Sequence, residues 1–487
     1  MRDILENIKL PEQRQEEYVH PDNWDVFPPL HDRKRLNRYK ANKMLFNGHH
    51  DDVYKRVQDA MENGKGVDYL TYIIANFASV ISFTCADLLL GTPFDVIAGK
   101  EGSDTDKAVK QMLVDNDFYR KVYEGELSRS YRGDSVLKVR YGKPKWWSEP
   151  QTIIEYVPAS VYFPHLNADN VQEESGATLA WIKRSGDNLY LRKEIHVPGE
   201  IRNELYHLKG EKIGDRISKP GSIFDEYKNW QVVEKTGYSG ILVEHVPNWR
   251  LDDEYFGCSD YINLHSIFDE INNRISQISS ILDKHADPIL IGPNELMMDK
   301  NGREKRNISR RDMSFTGISD PEDANMFKYL TWDAHLEAAF KQIDSLVDVM
   351  MLVAEISPSI FGMDKYGIAE SGRALRFRLL RTLQKINRKK LYLDTGIRNI
   401  LYAAQVIDNQ FSRKSYDVED VSITWHVNLP KDEKEDAETM QIRTGNKSTI
   451  SQKAAIQRMD GVTAEQAEEM CAEIHTDNDF VDGVFAE

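Results

Sequence analysis

The residues best suited to chemistry form no recognised catalytic or metal-binding pattern. Two histidines and two aspartates are consecutive in His49–Asp52, but no second cluster accompanies them as a metal site would require. The sequence has no GxxxxGK[ST] loop, for which Gly64–Lys65–Gly66 is too short, and no HExxH, GxSxG or EF-hand pattern. Acidic residues are abundant, but no isolated pair suits acid–base catalysis. We therefore expect no enzyme activity, no cofactor and no metal ion.

Positive charge is concentrated in two stretches of a chain whose formal net charge is −16. One is a basic patch within residues 287–333, which comprises Lys300, Arg303, Lys305, Arg306, Arg310 and Arg311. The other is residues 370–406, where nine Lys and Arg residues face Glu370 and Asp394. So large a local imbalance indicates an anionic partner, such as acidic neighbouring subunits or phosphates. The last 57 residues are instead acidic, with 14 Asp and Glu against six Lys and Arg.

The composition is that of a large folded protein. The 487 residues are 40% hydrophobic and 29% charged, which predicts about three folding units and disfavours disorder. A pI near 5.4 disfavours a protein that clamps nucleic acid through its overall field. Cys85, Cys258 and Cys471 are too far apart for a zinc knuckle, and three cysteines do not make a disulfide framework.

The first half of the chain predicts an α+β body. Tyr69–Ala86 carries no charge, but its polar residues favour a buried helix over a membrane span. Apolar spacing predicts a single helix over residues 104–132. Alternation of apolar and polar residues predicts a meander of strands at 135–141, 153–157, 180–182, 188–191, 204–208, 231–233 and 241–247. A further strand is predicted at Val421–Leu429.

Two heptad-like helices flank the basic patch. Their apolar residues recur in steps of four and three, which is typical of a seam between paired helices. The first helix, from Ser259 to about His285, carries Leu264, Phe268, Ile271, Ile275, Ile278 and Leu282. The second, from Ala334 to Glu355, carries Leu336, Phe340, Ile343, Val347 and Met350. The helices can pack antiparallel with the insert as a cap, although the spacing alone favours an ordinary helical hairpin inside a globular core.

Several local motifs, in their order along the chain, resemble those of the portal proteins of tailed bacteriophages. Leu88–Pro93 resembles the early L-G-x-P turn of that family. Gly257, Ser259, Asp260, Asp269, Asn272 and Pro288 match its G-x-S-D helix motif in order. Glu370–Leu375 resembles the S-G-x-A-L start of the family's long helix. Trp425–Pro430 with Asp432 resembles the W…P-x-D motif at the end of a strand in the family, and Thr449–Ala455 resembles its crown helix.

The resemblance implies a fold class, which is α+β: the phage portal fold with wing, two-helix stem, clip, tunnel loop and helical crown, assembled as a ring. It places the wing at 1–257, the stem helices at 258–286 and 334–356, the clip at 287–333 and the tunnel loop at 357–369. Residues 370–430 would form a long basic helix and a strand that return to the wing. Residues 431–487 would form the crown.

The resemblance also implies a function without catalysis. The chain would form a homo-oligomeric ring, probably a dodecamer, at one capsid vertex of the virion. Double-stranded DNA would pass through it during packaging by the terminase, retention and ejection. A head–tail adaptor, the major capsid protein and a scaffold protein would be further partners, with no membrane contact and with assembly in the host cytoplasm.

Two groups of residues are predicted to contact these partners. In the tunnel loop, Met363, Lys365 and Tyr366 would face the DNA backbone without reading its sequence. In the clip, Arg303, Lys305, Arg306, Arg310 and Arg311 would dock an acidic partner. A membrane-associated helical scaffold and, less favoured, a metal-dependent nuclease stay open as alternatives.

Overall fold

A computed structural model of the full chain describes residues 19–54, 72–167, 169–286, 289–291, 328–330, 336–363, 372–412, 415–426, 433–445, 448–460, 462 and 466–474. The chain divides into two compact units. The first comprises Met1–Glu355 and Ile386–Trp425, and the second Ile356–Lys385 and His426–Glu487.

The side chains of Asn76 and Ser103 each cap the N-terminus of one of the described helices. The helices are α1 (Arg33–Phe46), α2 (Phe77–Leu90), α3 (Asp104–Asp115), α4 (Phe118–Arg132), α5 (His265–Ala286), α6 (Leu336–Val353), α7 (Gly372–Arg378), α8 (Leu380–Phe411), α9 (Glu433–Thr444) and α10 (Gln452–Asp460). Residues 466–474 are also helical. The helix predicted within Tyr69–Ala86 is α2, which buries Ile81, Cys85 and Leu89.

The prediction of one helix over residues 104–132 is wrong, because Asn116 and Asp117 separate α3 from α4. Asp117 has a left-handed backbone conformation with φ 50°, which Asp tolerates better than most residues. The Asn116 side-chain amide donates to the carbonyls of Met112 and Thr152, both at 3.0 Å. The side chain thereby ends α3 and ties it to the neighbouring sheet.

The strands form antiparallel sheets in the first unit. They are β1 (Asp95–Ala98), β2 (Asp134–Gly142), β3 (Gln151–Val157), β4 (Tyr162–Leu166), β5 (Glu174–Ser185), β6 (Asn188–Val197), β7 (Glu200–Lys209), β8 (Lys212–Arg216), β9 (Val233–Lys235), β10 (Val243–Pro247), β11 (Ile289–Ile291), β12 (Lys328–Leu330) and β13 (Val421–Thr424). The sheet orders are β10-β2-β3, β4-β5-β6-β7-β8 with β9 on β7, β1-β13 and β11-β12. The meander predicted from alternation is confirmed. Strands β2, β3, β5, β6 and β7 are longer than the alternation marks, whereas β10 is shorter than the predicted 241–247 and β9 overlaps the predicted 231–233 only at Val233.

Helix α8 lies along the β10-β2-β3 sheet. A Cβ atom on Gly396 would lie 2.4 Å from a methyl group of Val246 in β10, so only glycine allows this approach. Further along the helix, Asp408 accepts a hydrogen bond of 3.0 Å from Thr152 in β3. At its end, Phe411 stacks on Tyr141 of β2 with ring centroids 5.4 Å apart. Helix α8 and strand β2 therefore run in the same direction.

In the second unit, α9 and α10 pack against each other. The Ser451 side chain caps α10 by accepting a hydrogen bond of 3.2 Å from the Ala454 backbone, a position at which serine is favoured. Helix α9 was not predicted. No helix in the described part of the chain is both long and apolar enough to cross a bilayer.

Candidate functional site

The Gly257–Asp260 motif forms a junction between the sheet, α4 and the start of α5. Gly133 ends α4 with φ 96°, and its carbonyl accepts a hydrogen bond of 2.7 Å from the Asn248 backbone. Gly257 crosses Gly133 so closely that a Cβ atom would lie 2.2 Å from that carbonyl oxygen. The Gly257 amide donates at 2.7 Å to the buried carboxylate of Asp134 in β2. Two glycines thus allow two backbone segments to touch.

A buried cluster of four charges, here called the charge cluster, locks this junction to α8. Lys389 of α8 places its Nζ atom 2.7 Å from Asp260 and 2.9 Å from Glu126 of α4. Arg129 Nε donates to Glu126 at 2.6 Å. The side chains of all four residues are fully shielded from solvent. The formal charges cancel, which is the condition under which charged groups can be buried.

Hydrogen bonds satisfy much of the remaining polarity around Asp260. Ser130 of α4 donates to Asp260 Oδ2 at 2.6 Å, and Asn248 donates to Oδ1 at 3.2 Å. Burial by itself lowers the pKa of Lys389, but the carboxylates of Asp260 and Glu126 more than offset it, so its pKa lies above the ordinary value. The two carboxylates therefore favour the charged form of Lys389.

Farther along α5, Asn272 ties this helix to the segment that follows α1 and to the segment that precedes α2. Its Oδ1 atom accepts from the Ala75 backbone at 2.9 Å, and its amide nitrogen lies 2.9 Å from His50 Nδ1. His50 Nε2 faces the Leu45 carbonyl at 3.1 Å. These partners fix the neutral Nε2–H tautomer of His50, with Nδ1 as the acceptor. The neighbouring His49, Asp51 and Asp52 bring ligand atoms within 4.8 Å of one another near the surface, and His50 turns away from them.

We expect acidification to destabilise this contact. Burial is the main reason that the pKa of His50 lies below its ordinary value of 6.5, and a second proton would face the Asn272 amide. Because the unfolded chain takes up that proton near pH 6.5 and the folded chain resists it, stability is lost as the pH falls below about 6.5. Urea unfolding at pH 7 and pH 5 tests this.

The control is the His50→Gln variant, which has no titrating group at this position. Its midpoint should be lower than that of the unchanged protein at pH 7 but should fall less between pH 7 and pH 5. An equal fall in both proteins would show that other groups carry the pH dependence.

The heptad positions of α5 and α6 have different environments. Leu264, Phe268, Ile271 and Ile278 are buried and Ile275 is half-buried, whereas Leu282 near the end of α5 is 49% exposed. In α6, Met350 is buried, Leu336, Ile343 and Val347 are half-buried, and Phe340 is 51% exposed. The two helices contact each other, and the antiparallel pair β11–β12 joins their ends. The predicted seam is therefore only partly closed within one chain.

Helix α6 exposes a second apolar face. Val349, Leu352 and Val353 are 48%, 77% and 41% exposed, and they lie at i, i+3 and i+4 on one side of the helix. Met350 and Met351 on another side are buried. Apolar residues on two sides are typical of a helix that packs between two other structural elements.

The predicted contact residues fall mostly outside the described part of the chain. Arg303, Lys305, Arg306, Arg310 and Arg311 of the clip are outside it, as are Lys365 and Tyr366 of the tunnel loop. Met363 is described and is 54% exposed, directly after a short 3₁₀ helix at Pro358–Phe361. Their roles remain predictions.

The expectation that the positive charge of residues 370–406 needs an external partner is wrong for several of its members. Lys389 belongs to the charge cluster, Arg388 pairs with Glu355 at 2.7 Å, and Arg398 pairs with Asp394. Lys390 lies 5.7 Å from the centre of the Trp425 ring. Asp394 was already part of the local count, but Glu126, Asp260 and Glu355 lie far away in sequence, so a count of local charge overstated the deficit.

Sequence reasoning also missed the roles of Glu126, Arg129 and Asp134, which no local pattern distinguishes from surface residues. A signal existed only for Asp260, which stands in the motif that carries the family resemblance. Its buried environment explains why an aspartate is required there.

Comparison with known proteins identifies the family. The family model described as phage portal protein, SPP1 Gp6-like, matches residues 29–479. No curated protein matches the chain. Among solved structures, the chain is similar to one described as the neck of an empty GTA particle computed with C6 symmetry, at 10% identity and a TM-score of 0.44, over 78% of this chain and 90% of that one. The family match alone spans most of the sequence, and the chain therefore belongs to the phage portal protein family of SPP1 Gp6-like type.

Proposed function

We propose that this chain is the structural subunit of a portal ring. Copies would surround a channel at one capsid vertex, through which the terminase packages double-stranded DNA. The same ring would connect head to tail, retain the genome and release it during ejection. Membership of the portal family supports the role, and we assign the subunit no catalytic step.

The observation that carries the proposal is the two-sided apolar character of α6. Its buried side contacts the chain's own residues, and its exposed side offers Val349, Leu352 and Val353 to another molecule. In a ring, every subunit has an identical neighbour on each side, so this face is covered in every copy. Exposed apolar surface of this kind is otherwise unfavourable in water.

Negative-stain microscopy of the purified protein tests the proposal. We expect closed annuli with a central hole wide enough for a DNA duplex. The matched variant is Leu352→Glu, which places a charge in the proposed contact and should leave monomers. Val114→Glu, on the equally exposed surface of α3, should still assemble. Particles without a central hole would contradict a portal ring.

The remaining domain assignments are part of this proposal. We assign α5 and α6 to the stem, residues 287–333 to the clip, residues 357–369 to the tunnel loop and residues 431–487 to the crown. The acidic character of the chain suits a conduit, because strong phosphate binding would hinder sliding. Within the loop, Met363, Lys365 and Tyr366 would contact the DNA backbone.

We expect the clip arginines to dock an acidic partner, either the terminase or a head–tail adaptor. Reversing Arg306, Arg310 and Arg311 to Glu should abolish partner binding, because each attraction becomes a repulsion, while rings still form. A pull-down with purified terminase and adaptor measures this, and microscopy checks the rings. Unchanged binding would refute the assignment.

A further inference from the structure

The turn between β2 and β3 exposes two tryptophans at its tip. Trp146 and Trp147 are 84% and 63% exposed and meet edge to face at 5.3 Å. Lys145 lies 5.4 Å from the centre of the Trp147 ring, and Lys143 is exposed beside it. We call residues 143–149 the Trp hairpin. Tryptophan has a large apolar surface and is enriched among the residues that contribute most to binding at protein interfaces. We therefore expect the tip of this hairpin to bind a partner.

A cleft elsewhere on the same unit has the complementary character. It encloses about 420 Å³ beside α8 and is lined by Tyr238, Arg398, Asn399, Tyr402 and Asp420. The rings of Tyr238 and Tyr402 lie 6.5 Å apart. Asp417 and Glu419 are exposed on the segment that leads into Asp420. None of these three carboxylates forms an ion pair with another residue in the described part of the chain. We call this the α8 cleft.

Charge and shape match the two surfaces. The Trp hairpin offers two ammonium groups against one carboxylate, Glu149, together with two indole rings, while the α8 cleft offers three carboxylates against one cation, Arg398, together with two tyrosines. Indole rings stack favourably on tyrosine, and complementary charges at the rim favour one orientation over others.

The hairpin does not reach the cleft of its own chain. Helix α8 and strand β2 run in the same direction, with Phe411 stacked on Tyr141 at their common end. The hairpin continues beyond that end, whereas Tyr402 lies nine residues before it, which is about 14 Å along the helix. Two separate and different surfaces on one subunit produce a head-to-tail contact, which is the type of contact that joins the subunits of a ring when the rotation between them closes.

We propose that the Trp hairpin of each subunit inserts into the α8 cleft of the neighbouring subunit. The inference rests on the proposed ring and adds a specific contact to it. Trp146 and Trp147 pack against the solvent-facing sides of Tyr238 and Tyr402, and Lys143 and Lys145 pair with Asp417, Glu419 and Asp420. The contact links neighbouring subunits through their α+β bodies, separately from the α5–α6 pair.

Site-specific cross-linking tests the contact directly. The background is Cys471→Ser, because Cys471 is the part-exposed cysteine and Cys85 and Cys258 are buried. Adding Lys145→Cys and Asp420→Cys together should yield a ladder of covalent oligomers under mild oxidation by copper phenanthroline. A pairing of Lys209→Cys with Asp420→Cys, which uses an exposed lysine on another hairpin, should yield none.

Two sets of variants measure the energetics. Trp146→Ala with Trp147→Ala should raise the concentration for half-assembly about 30-fold, as expected for interface hot spots, whereas Val114→Ala should not change it. Lys145→Glu or Asp420→Lys alone should raise it about tenfold, and the two together should restore part of the loss. Circular dichroism confirms that each variant is folded.

The outcomes separate this contact from the ring itself. If rings form without the specific ladder and acrylamide still quenches the tryptophan fluorescence, the proposed hairpin contact is wrong. The proposal of a portal ring would be unaffected by that result. Binding of the hairpin to phosphatidylserine vesicles in place of the ladder would show a membrane surface as its partner and would also overturn the proposal. A protein that stays monomeric at every concentration would contradict the ring and the contact together.

Discussion

The Lys389→Met variant should lose about 3–5 kcal/mol of unfolding free energy, because it leaves two buried carboxylates with one buried cation. Glu126 and Asp260 both contact the Lys389 ammonium group within 2.9 Å and have no access to water. Urea denaturation followed by circular dichroism measures the loss. Because the charge cluster joins α4, α8 and the start of α5, we also expect the variant to assemble poorly.

Two comparisons isolate the cause of that loss. Arg398→Met breaks an ion pair with Asp394 on the surface of the same helix and should cost less than about 1 kcal/mol. Adding Asp260→Asn to Lys389→Met removes the unbalanced charge and should recover part of the stability. If the double variant is as unstable as the single one, packing of the lysine stem rather than charge balance dominates the effect.

The Gly133→Ala variant should cost about 3 kcal/mol or more, because two penalties act together. The left-handed backbone at φ 96° disfavours any side chain. The new Cβ atom would also lie 2.5 Å from the Gly257 carbonyl oxygen, and a backbone atom moves only if the junction opens. Thermal and urea unfolding measure the cost.

Each penalty can be measured separately. Gly186→Ala has the same kind of left-handed backbone, with φ 57° and nothing within 4 Å of the new atom, so it should show only about 1 kcal/mol of strain. Gly257→Ala has no left-handed backbone but meets the Gly133 carbonyl oxygen at 2.2 Å, so it should show the steric penalty. Equal, small effects in all three variants would mean that the junction yields easily.

The elements that sequence patterns predicted well are those with strong periodicity. The heptad steps in α5 and α6 and the alternation in the meander are local signals, and these elements formed over most of their predicted ranges, although α5 begins six residues after the predicted start at Ser259. The break at Asn116 was missed because a continuous apolar stripe outweighs one polar residue in a pattern. Helix α9 was missed because its residues are mostly charged and carry no clear apolar stripe.

The candidate site was less predictable, because it depends on contacts between distant residues. Asp260 meets Lys389 across 129 positions of sequence, and neither residue carries a local sign of its partner. The same separation explains why the basic stretch seemed to need an external anion. The sequence likewise did not predict that Trp146 and Trp147 are exposed, since their exposure depends on where the hairpin ends and what lies near it.

The sequence by itself determined the family, the α+β organisation and the periods of the paired helices, because motifs and periodicity are properties of neighbouring residues. Only the tertiary structure decided which half of each heptad seam is closed, which charges are buried, and which aromatic residues face solvent. These depend on how distant segments pack, since burial changes the energy of a charge or an indole ring far more than its sequence context does.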